Sequence, residues 1–280
     1  MTRLRHIVRP ILPGDLSAAQ ALVDGDPVAH CFVASRLAAA GADPWRLGGD
    51  VLGYFPQNDL ESMVYVGANL IPVATTPAAR AAFADRLRST RRCSSILGPA
   101  PEVLDLWRLL EPAWGPAREV RAAQDLLVID DSPAVDSDLG VRPAVLDELE
   151  ILLPACVAMF TEEVGVSPLA GGNAGGYRAR VAELIRGNRA LVRLENGQVI
   201  FKAEIGVVGP GATQVQGVWV APAFRGRGLA APAMAAVIEH SRRFFGPVVS
   251  LYVNDFNTSA RKAYARIGMT PVGTFATVLL

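Results

Sequence analysis

Residues 218–232 read VWVAPAFRGRGLAAP, and this stretch decides the fold. An apolar run that ends at Val220 is followed by a turn with two glycines and two arginines, and then by an alanine-rich segment. This order predicts a strand, a glycine-rich turn and the first residues of a helix. Backbone N–H groups at a helix N-terminus lack intrahelical partners and carry partial positive charge, so the arrangement is typical of a phosphate site.

Two common phosphate motifs do not fit this turn. A P-loop for ATP requires a Lys followed by Ser or Thr after its last glycine, and the turn contains no lysine. A dinucleotide-binding turn requires GxGxxG, but Ala231 stands where the third glycine is needed. The acidic partner of that motif is also missing, since Asp255 lies well beyond the expected distance of about 20 residues.

A second stretch, VNDFNTSARKAYARIGM at 253–269, supplies a further motif. Taken with the pattern Arg225-x-x-Gly228-x-Ala230, it resembles the GNAT superfamily of N-acetyltransferases. That superfamily has an Asn after its fifth strand, then a helix with a Tyr, then a Gly followed by an apolar residue. The matching positions here are Asn257, Tyr264, Gly268 and Met269. The resemblance covers about residues 140–280 and predicts the GNAT fold for them.

The order of predicted elements agrees with that fold. The second half reads α-α-β-β-β-α-β-α-β, with a hairpin at Asn196-Gly197, and β-α-β-α-β also occurs in the first half, where residues 63–74 are predicted as one strand. The acidic stretch DDSPAVDSD at 130–138 has the composition of a linker. We therefore predict an α/β (α+β) chain with a mixed, mostly antiparallel sheet flanked by helices. Its two domains would be a degenerate GNAT-like domain at 1–131, which lacks the glycines, and a catalytic domain at 139–280.

The resemblance implies acetyl-CoA as co-substrate. It assigns the pyrophosphate to the loop amides, the polarisation of the thioester carbonyl to the Val220 amide, and the protonation of the leaving thiolate to Tyr264. Asn257 is a side-chain partner for pantetheine. The predicted cofactor-binding residues are Val218, Val220, Arg225, Gly226, Arg227, Gly228, Leu229, Ala230, Asn257 and Tyr264.

The general base is the part of the site that the sequence leaves open. In some GNAT enzymes a Glu lies eleven residues before the first loop residue, but Gln214 stands there and cannot accept a proton. Strand alternation puts Lys202 and Glu204 on one face, which makes Glu204 a candidate. Glu162 and Glu163 are the other candidates, because the segment after the first helix walls the acceptor pocket in GNAT folds.

The composition restricts which partners, metal sites and membrane segments the chain can have. The formal net charge is +0, which favours neither a nucleic-acid nor an anionic membrane partner. Three cysteines and three histidines show no metal-ligand spacing, so no metal site is predicted, and no segment has the length of a membrane span. We predict a cytoplasmic N-acetyltransferase that transfers an acetyl group from acetyl-CoA to a primary amine. The alternatives are a non-catalytic acyl-CoA sensor or scaffold, and an enzyme that uses another acyl donor.

Overall fold

The computed structural model describes residues 6–280, so the first five residues of the predicted first domain lie outside it. The elements up to the linker are β1 (Ile7–Pro10), α1 (Leu16–Asp24), α2 (Cys31–Ala40), α3 (Pro44–Leu47), β2 (Asp50–Phe55), β3 (Ser62–Val66), β4 (Asn69–Val73), α4 (Pro77–Leu87), β5 (Ser95–Pro99), α5 (Ala100–Trp114) and β6 (Glu119–Ile129). Those after it are β7 (Arg142–Pro143), α6 (Leu149–Val164), α7 (Ala174–Arg186), β8 (Ala190–Glu195), β9 (Gln198–Val208), β10 (Thr213–Val220), α8 (Ala230–Phe244), β11 (Val249–Asn254), α9 (Thr258–Arg266) and β12 (Thr270–Leu279).

All of these strands belong to one mixed sheet with the order β1-β2-β3-β4-β5-β12-β6-β11-β10-β9-β8-β7. The β4–β5 and β10–β11 pairs are parallel, and the other pairs are antiparallel. Helices cover both faces, since alternate residues of β2 and β3 belong to two separate cores. The predicted fold class is therefore confirmed.

The two halves exchange strands across the linker. β6 comes from the first half, yet it lies between β11 and β12 and pairs with both. β12 ends the second half, yet it lies between β6 and β5 of the first. Each half therefore has five strands in simple order and completes its sheet with strands from both halves.

Local sequence explains most elements of the second half. Asn196 and Gly197 have φ values of 50° and 76°, as a two-residue turn between β8 and β9 requires. On α8, the apolar residues Ala231, Met234 and Ile238 are buried at helical spacing. Arg242 and Arg243 occupy its last turn, where positive charge is favourable.

One predicted element of the first half is wrong. Residues 63–74 do not form one strand but the antiparallel pair β3 and β4, which turn at Gly67 and Ala68. The Gly67 N–H donates to the Asn69 carbonyl across this turn. Apolar residues continue almost unbroken through both strands because all but Asn69 are buried, so their pattern gives no sign of the reversal.

Candidate active site

The candidate site is an opening in the sheet between β10 and β11. These parallel strands pair at two positions, Thr213 with Val249 and Gln214 with Ser250, and then diverge. Beyond this point β10 carries a bulge against β9, at Gly217, whose φ is +59°. The divergence leaves one edge of β10 without a strand partner, next to the turn that follows it.

The Val220 N–H faces this opening. The next amide along, that of Ala221, donates to the Ile200 carbonyl of β9 at 2.9 Å. Because amides alternate in direction along a strand, the Val220 N–H points away from β9. The Arg225 Nε donates to the Val220 carbonyl at 2.9 Å and steadies this strand end. Val218 lies two residues earlier and is half-buried at the same opening.

The glycine turn presents free amide groups. Gly226 and Gly228 have φ values of 74° and 78°, which favour glycine, and a Cβ on either would meet no atom within 4 Å. In residues 6–280, the N–H groups from Gly226 to Leu229 find no acceptor in the chain. Leu229 is the N-cap of α8 and Ala230 its first residue, so the turn joins the free amides of a helix N-terminus. These open donors suit a pyrophosphate.

The two arginines of the turn take different positions. The Arg225 Nη2 forms an ion pair with the Glu162 Oε2 at 2.6 Å and so ties the turn to α6. The Arg227 guanidinium lies over the Phe224 ring, 5.0 Å from its centre, and stays exposed beside the turn. Within residues 6–280 Arg227 makes no ion pair, so of the two arginines it is the one whose charge can meet an anion.

Tyr264 lies buried on α9, and its side chain packs with the core under α8 and α9. Burial raises the pKa of its phenol above the ordinary value, and the nearby Glu163 charge raises it further. Its hydroxyl has no hydrogen-bond partner within residues 6–280. The phenol therefore stays protonated over the usual pH range and is free to donate.

Asn257 is the N-cap of α9, and its Oδ1 accepts from the Ala260 N–H at 3.2 Å. This bond satisfies one free amide of the first turn. The side-chain oxygen is engaged in capping, and the amide nitrogen remains as the group that can face a ligand.

The three candidate carboxylates have different surroundings. Both oxygens of Glu162 are engaged, one with Arg225 and the other with the Trp219 Nε1 at 3.2 Å. Glu204 is buried and forms an ion pair with Lys202, so the two do share a face. Glu163 makes no side-chain ion pair among the residues that the structure describes.

Glu163 lies at the end of α6, where its charge acts on Tyr252 of β11 and Tyr264 of α9. Its side chain is accessible to solvent, yet protein atoms surround it, and this burial raises the pKa of its carboxyl. The positive charges of Arg121 and Lys202 act against the rise, while Glu204 adds to it. An accessible carboxylate with a raised pKa is the best fit to a general base among the three.

Sequence reasoning missed several residues of this site. Tyr252 of β11 lies near Glu163, and burial raises the pKa of Tyr252 to about 12. Arg121 of β6 donates from Nη2 to the Glu163 carbonyl at 2.5 Å. A glycine inside a predicted strand indicates a bulge, so Gly217 could have been found. Arg121 carried no such sign, because it belongs to the other half.

The matching position of the first half is closed. β4 and β5 also pair at two positions and then diverge. There, however, the Glu102 Oε2 accepts from the Thr75 N–H at 2.6 Å and from its hydroxyl, so a carboxylate of the chain occupies the donors. Arg80 forms an ion pair with Asp105 at 2.7 Å beside them. At this turn the Thr75 and Thr76 amides are therefore both bonded to side chains.

Residues 6–280 contain neither a membrane-crossing helix nor a cluster of metal ligands. Among the helices there, none combines the length and apolar character that a membrane crossing needs. In the same range, His, Cys, Asp and Glu side chains form no group of three or more that could hold a metal ion.

Two family models match the chain. Residues 170–269 match the acetyltransferase (GNAT) family, and residues 49–152 match a domain of unknown function, DUF4081. Comparison with curated proteins gives no match. The resemblance that the two sequence motifs carry is thus confirmed for the second half.

Solved structures share the fold along nearly the whole chain. An X-ray structure of a Drosophila protein matches with a TM-score of 0.69 at 16% identity, covering 99% of both chains. A GCN5-related N-acetyltransferase from Sphaerobacter thermophilus matches with a TM-score of 0.60 at 17% identity, covering 98% of this chain and 95% of its own. A tandem GNAT protein from the clavulanic acid biosynthesis pathway matches with a TM-score of 0.53 at 15% identity, covering 98% of each chain. Both halves therefore share the architecture of GNAT structures, including a tandem one.

Proposed function

We propose that the protein is an acetyl-CoA-dependent N-acetyltransferase that acts on a primary amine, because residues 170–269 match the acetyltransferase (GNAT) family model. One observation carries the proposal. The free amides of the glycine turn and the outward Val220 N–H border the opening between β10 and β11, and Tyr264, whose hydroxyl has no partner in residues 6–280, packs in the same core as Val220 and Leu229. When bound, acetyl-CoA would supply the acyl group.

The proposed binding groups follow from the geometry. The amides from Gly226 to Ala230 hold the pyrophosphate, with Arg227 beside them, while Arg225 fixes the turn against α6. Val218 and Val220 offer the open edge of β10 to pantetheine. The Asn257 amide nitrogen faces it from the start of α9.

The proposed chemical roles fall on three residues. The Val220 N–H donates to the oxygen on which negative charge develops during acyl transfer. Glu163 accepts a proton from the acceptor ammonium or amine, because its carboxyl is accessible and its raised pKa makes it a stronger base. Tyr264 gives its proton to the sulfur that leaves, and its raised pKa keeps that proton in place until then.

The division of labour between the halves is part of the proposal. Residues 139–280 carry the proposed catalytic and binding groups, and residues 1–131 form a GNAT-like unit whose turn is closed by Glu102. A cytoplasmic location remains a prediction from the sequence.

The decisive experiment is a panel of primary amines, small molecules and peptides, offered with acetyl-CoA while free thiol is followed. Transfer to at least one amine, absent without enzyme, supports the proposal. Calorimetry with acetyl-CoA gives the second measurement. Tight binding without transfer to any amine favours an acyl-CoA sensor, and absence of both binding and transfer rejects both functions.

A further inference from the structure

β6, a strand of the first half, contacts the turn of α6 that carries Glu163, the candidate base. β6 runs between β11 and β12, and Arg121 lies on it with a side chain that is 9% exposed. Its guanidinium makes a two-point ion pair with Glu119 at 2.8 and 3.1 Å. The Arg121 Nη2 also donates a hydrogen bond to the Glu163 carbonyl oxygen, at 2.5 Å.

This contact is placed at the end of a helix. α6 ends at Val164 and is capped by Gly165, with a φ of +77°. The last carbonyls of a helix lack intrahelical donors and carry partial negative charge, so a guanidinium there is well placed. Arg121 therefore fixes the turn of α6 that carries Glu163.

β6 also holds the opposite wall of the opening. Asp125 forms an ion pair with Arg261 of α9 at 2.7 Å. Gln124, which is buried, donates to Asn254 at the end of β11 at 2.9 Å and accepts from Thr277 of β12 at 2.7 Å. The same strand thus contacts the base side and the cofactor side of the site.

We propose that Arg121, supplied by the first half of the chain, is a positioning residue that holds the turn of α6 carrying Glu163 and places a positive charge beside its carboxyl. The inference rests on the proposed role of Glu163 as base. The first half is then a working part of the catalytic unit rather than an attached domain.

The charges around Glu163 allow the effect of Arg121 to be isolated. The groups that face it from the packed elements are Arg121 of β6, Lys202 and Glu204 of β9, Tyr252 of β11, Tyr264 of α9, and its neighbour Glu162, which is paired with Arg225. Lys202 is buried against Glu204, so much of its charge is compensated. Arg121 is likewise paired with Glu119, but its positive charge acts on the Glu163 carboxyl more strongly than that of Lys202, so its removal should change the ionisation of Glu163 most.

The test is a carboxyl NMR titration of Glu163 in the full chain, with three variants. Arg121→Met removes the charge and should move the Glu163 midpoint to higher pH. Arg121→Lys keeps the charge and gives up the guanidinium fork, so the midpoint should stay near that of the wild type. The control is Arg118→Met, an exposed arginine just before β6 that acts on Glu119 and not on Glu163.

Amide hydrogen exchange supplies a readout that does not depend on Arg121→Met folding. In Arg121→Lys, exchange at Val164 and Gly165 should become about tenfold faster or more, since a hydrogen bond from a charged group is worth at least that factor. An unchanged Glu163 midpoint in folded Arg121→Met, or unchanged exchange in Arg121→Lys, overturns the inference. Neither readout needs an acceptor, so absence of acyl transfer in the wild type counts against the proposed function alone.

Discussion

Tyr264 combines a buried ring with a hydroxyl that has no partner in residues 6–280. A buried phenol usually bonds to a neighbouring acceptor, so a free one at the edge of an opening is better explained by a ligand or by chemistry. The raised pKa of this phenol means that it donates a proton rather than accepting one.

Tyr264→Phe tests that role. The change removes one hydroxyl and keeps the ring, so folding and acetyl-CoA affinity should hardly alter. Turnover should fall by about 10²-fold or more, the usual range for a general acid. Steady-state kinetics with a responsive amine, together with calorimetry, check this, and unchanged turnover would remove Tyr264 from the mechanism.

Glu163→Gln tests the base through pH dependence. A base must be deprotonated, so kcat/KM should rise as pH increases through the pKa of Glu163, which burial places above the ordinary range of a carboxyl. The variant should lose this acid limb and about 10²-fold or more of its rate. Glu150→Gln is the matched control, because Glu150 lies exposed on the same helix and pairs with Arg178. An acid limb that persists in Glu163→Gln assigns it to another group.

The same substitution has an effect on stability with a definite sign. A carboxyl whose pKa is raised on folding binds protons more readily in the folded state, so its stabilising contribution is present at low pH and lost as pH rises through the folded-state pKa. Relative to the wild type, Glu163→Gln should gain stability as the pH rises from the unfolded-state pKa of Glu163 through its folded-state pKa. Urea unfolding midpoints of both proteins, measured below and above this pH range, check the direction of the stability change.

The turn between β10 and α8 was the most predictable element of the site. Gly226 and Gly228 mark it, and their positive φ values and open surroundings explain why both are glycine. The base was less predictable, because the helical turn at the end of α6 places Glu163 and no short motif does. Gln214, where some GNAT enzymes have the base, lies buried on β10 near the point where β10 and β11 part.

Gly228→Ala separates the binding role of the turn from its folding role. At a φ of +78° a Cβ costs about 1–2 kcal/mol of stability wherever it is placed. Gly197→Ala is the matched control, since Gly197 has a φ of +76° and equally open space in the β8–β9 turn. Both variants should lose similar stability in denaturant unfolding. Acetyl-CoA affinity should fall by tenfold or more in Gly228→Ala alone, because the turn must change shape to relieve the strain. An equal loss of affinity in both would mean that the turn has no binding role.

The exchange of β6 and β12 joins the halves more closely than the sequence predicted. The strand character of residues 118–129 was readable, and so was the acidic linker after them. Which strands β6 would pair with was not readable, because an alternating pattern fixes the faces of a strand and leaves its neighbours open. The two halves also contact each other elsewhere, since the Cys31 Sγ donates to the Ala212 carbonyl at 3.1 Å.

A fragment series tests whether the second half stands alone. Residues 139–280 lack β6, so β11 and β12 lose the partner between them, and the buried network of Gln124 with Asn254 and Thr277 loses its centre. Unpaired strand edges favour aggregation, and we expect this fragment to show neither cooperative unfolding nor acetyl-CoA binding.

A fragment of residues 117–280 restores β6 and should recover much of both properties, although one edge of β12 then lacks β5. Circular dichroism, thermal unfolding and calorimetry compare the two fragments with the full chain. If residues 139–280 fold cooperatively and bind acetyl-CoA like the full chain, the exchanged strand is dispensable and residues 139–280 are an independent domain.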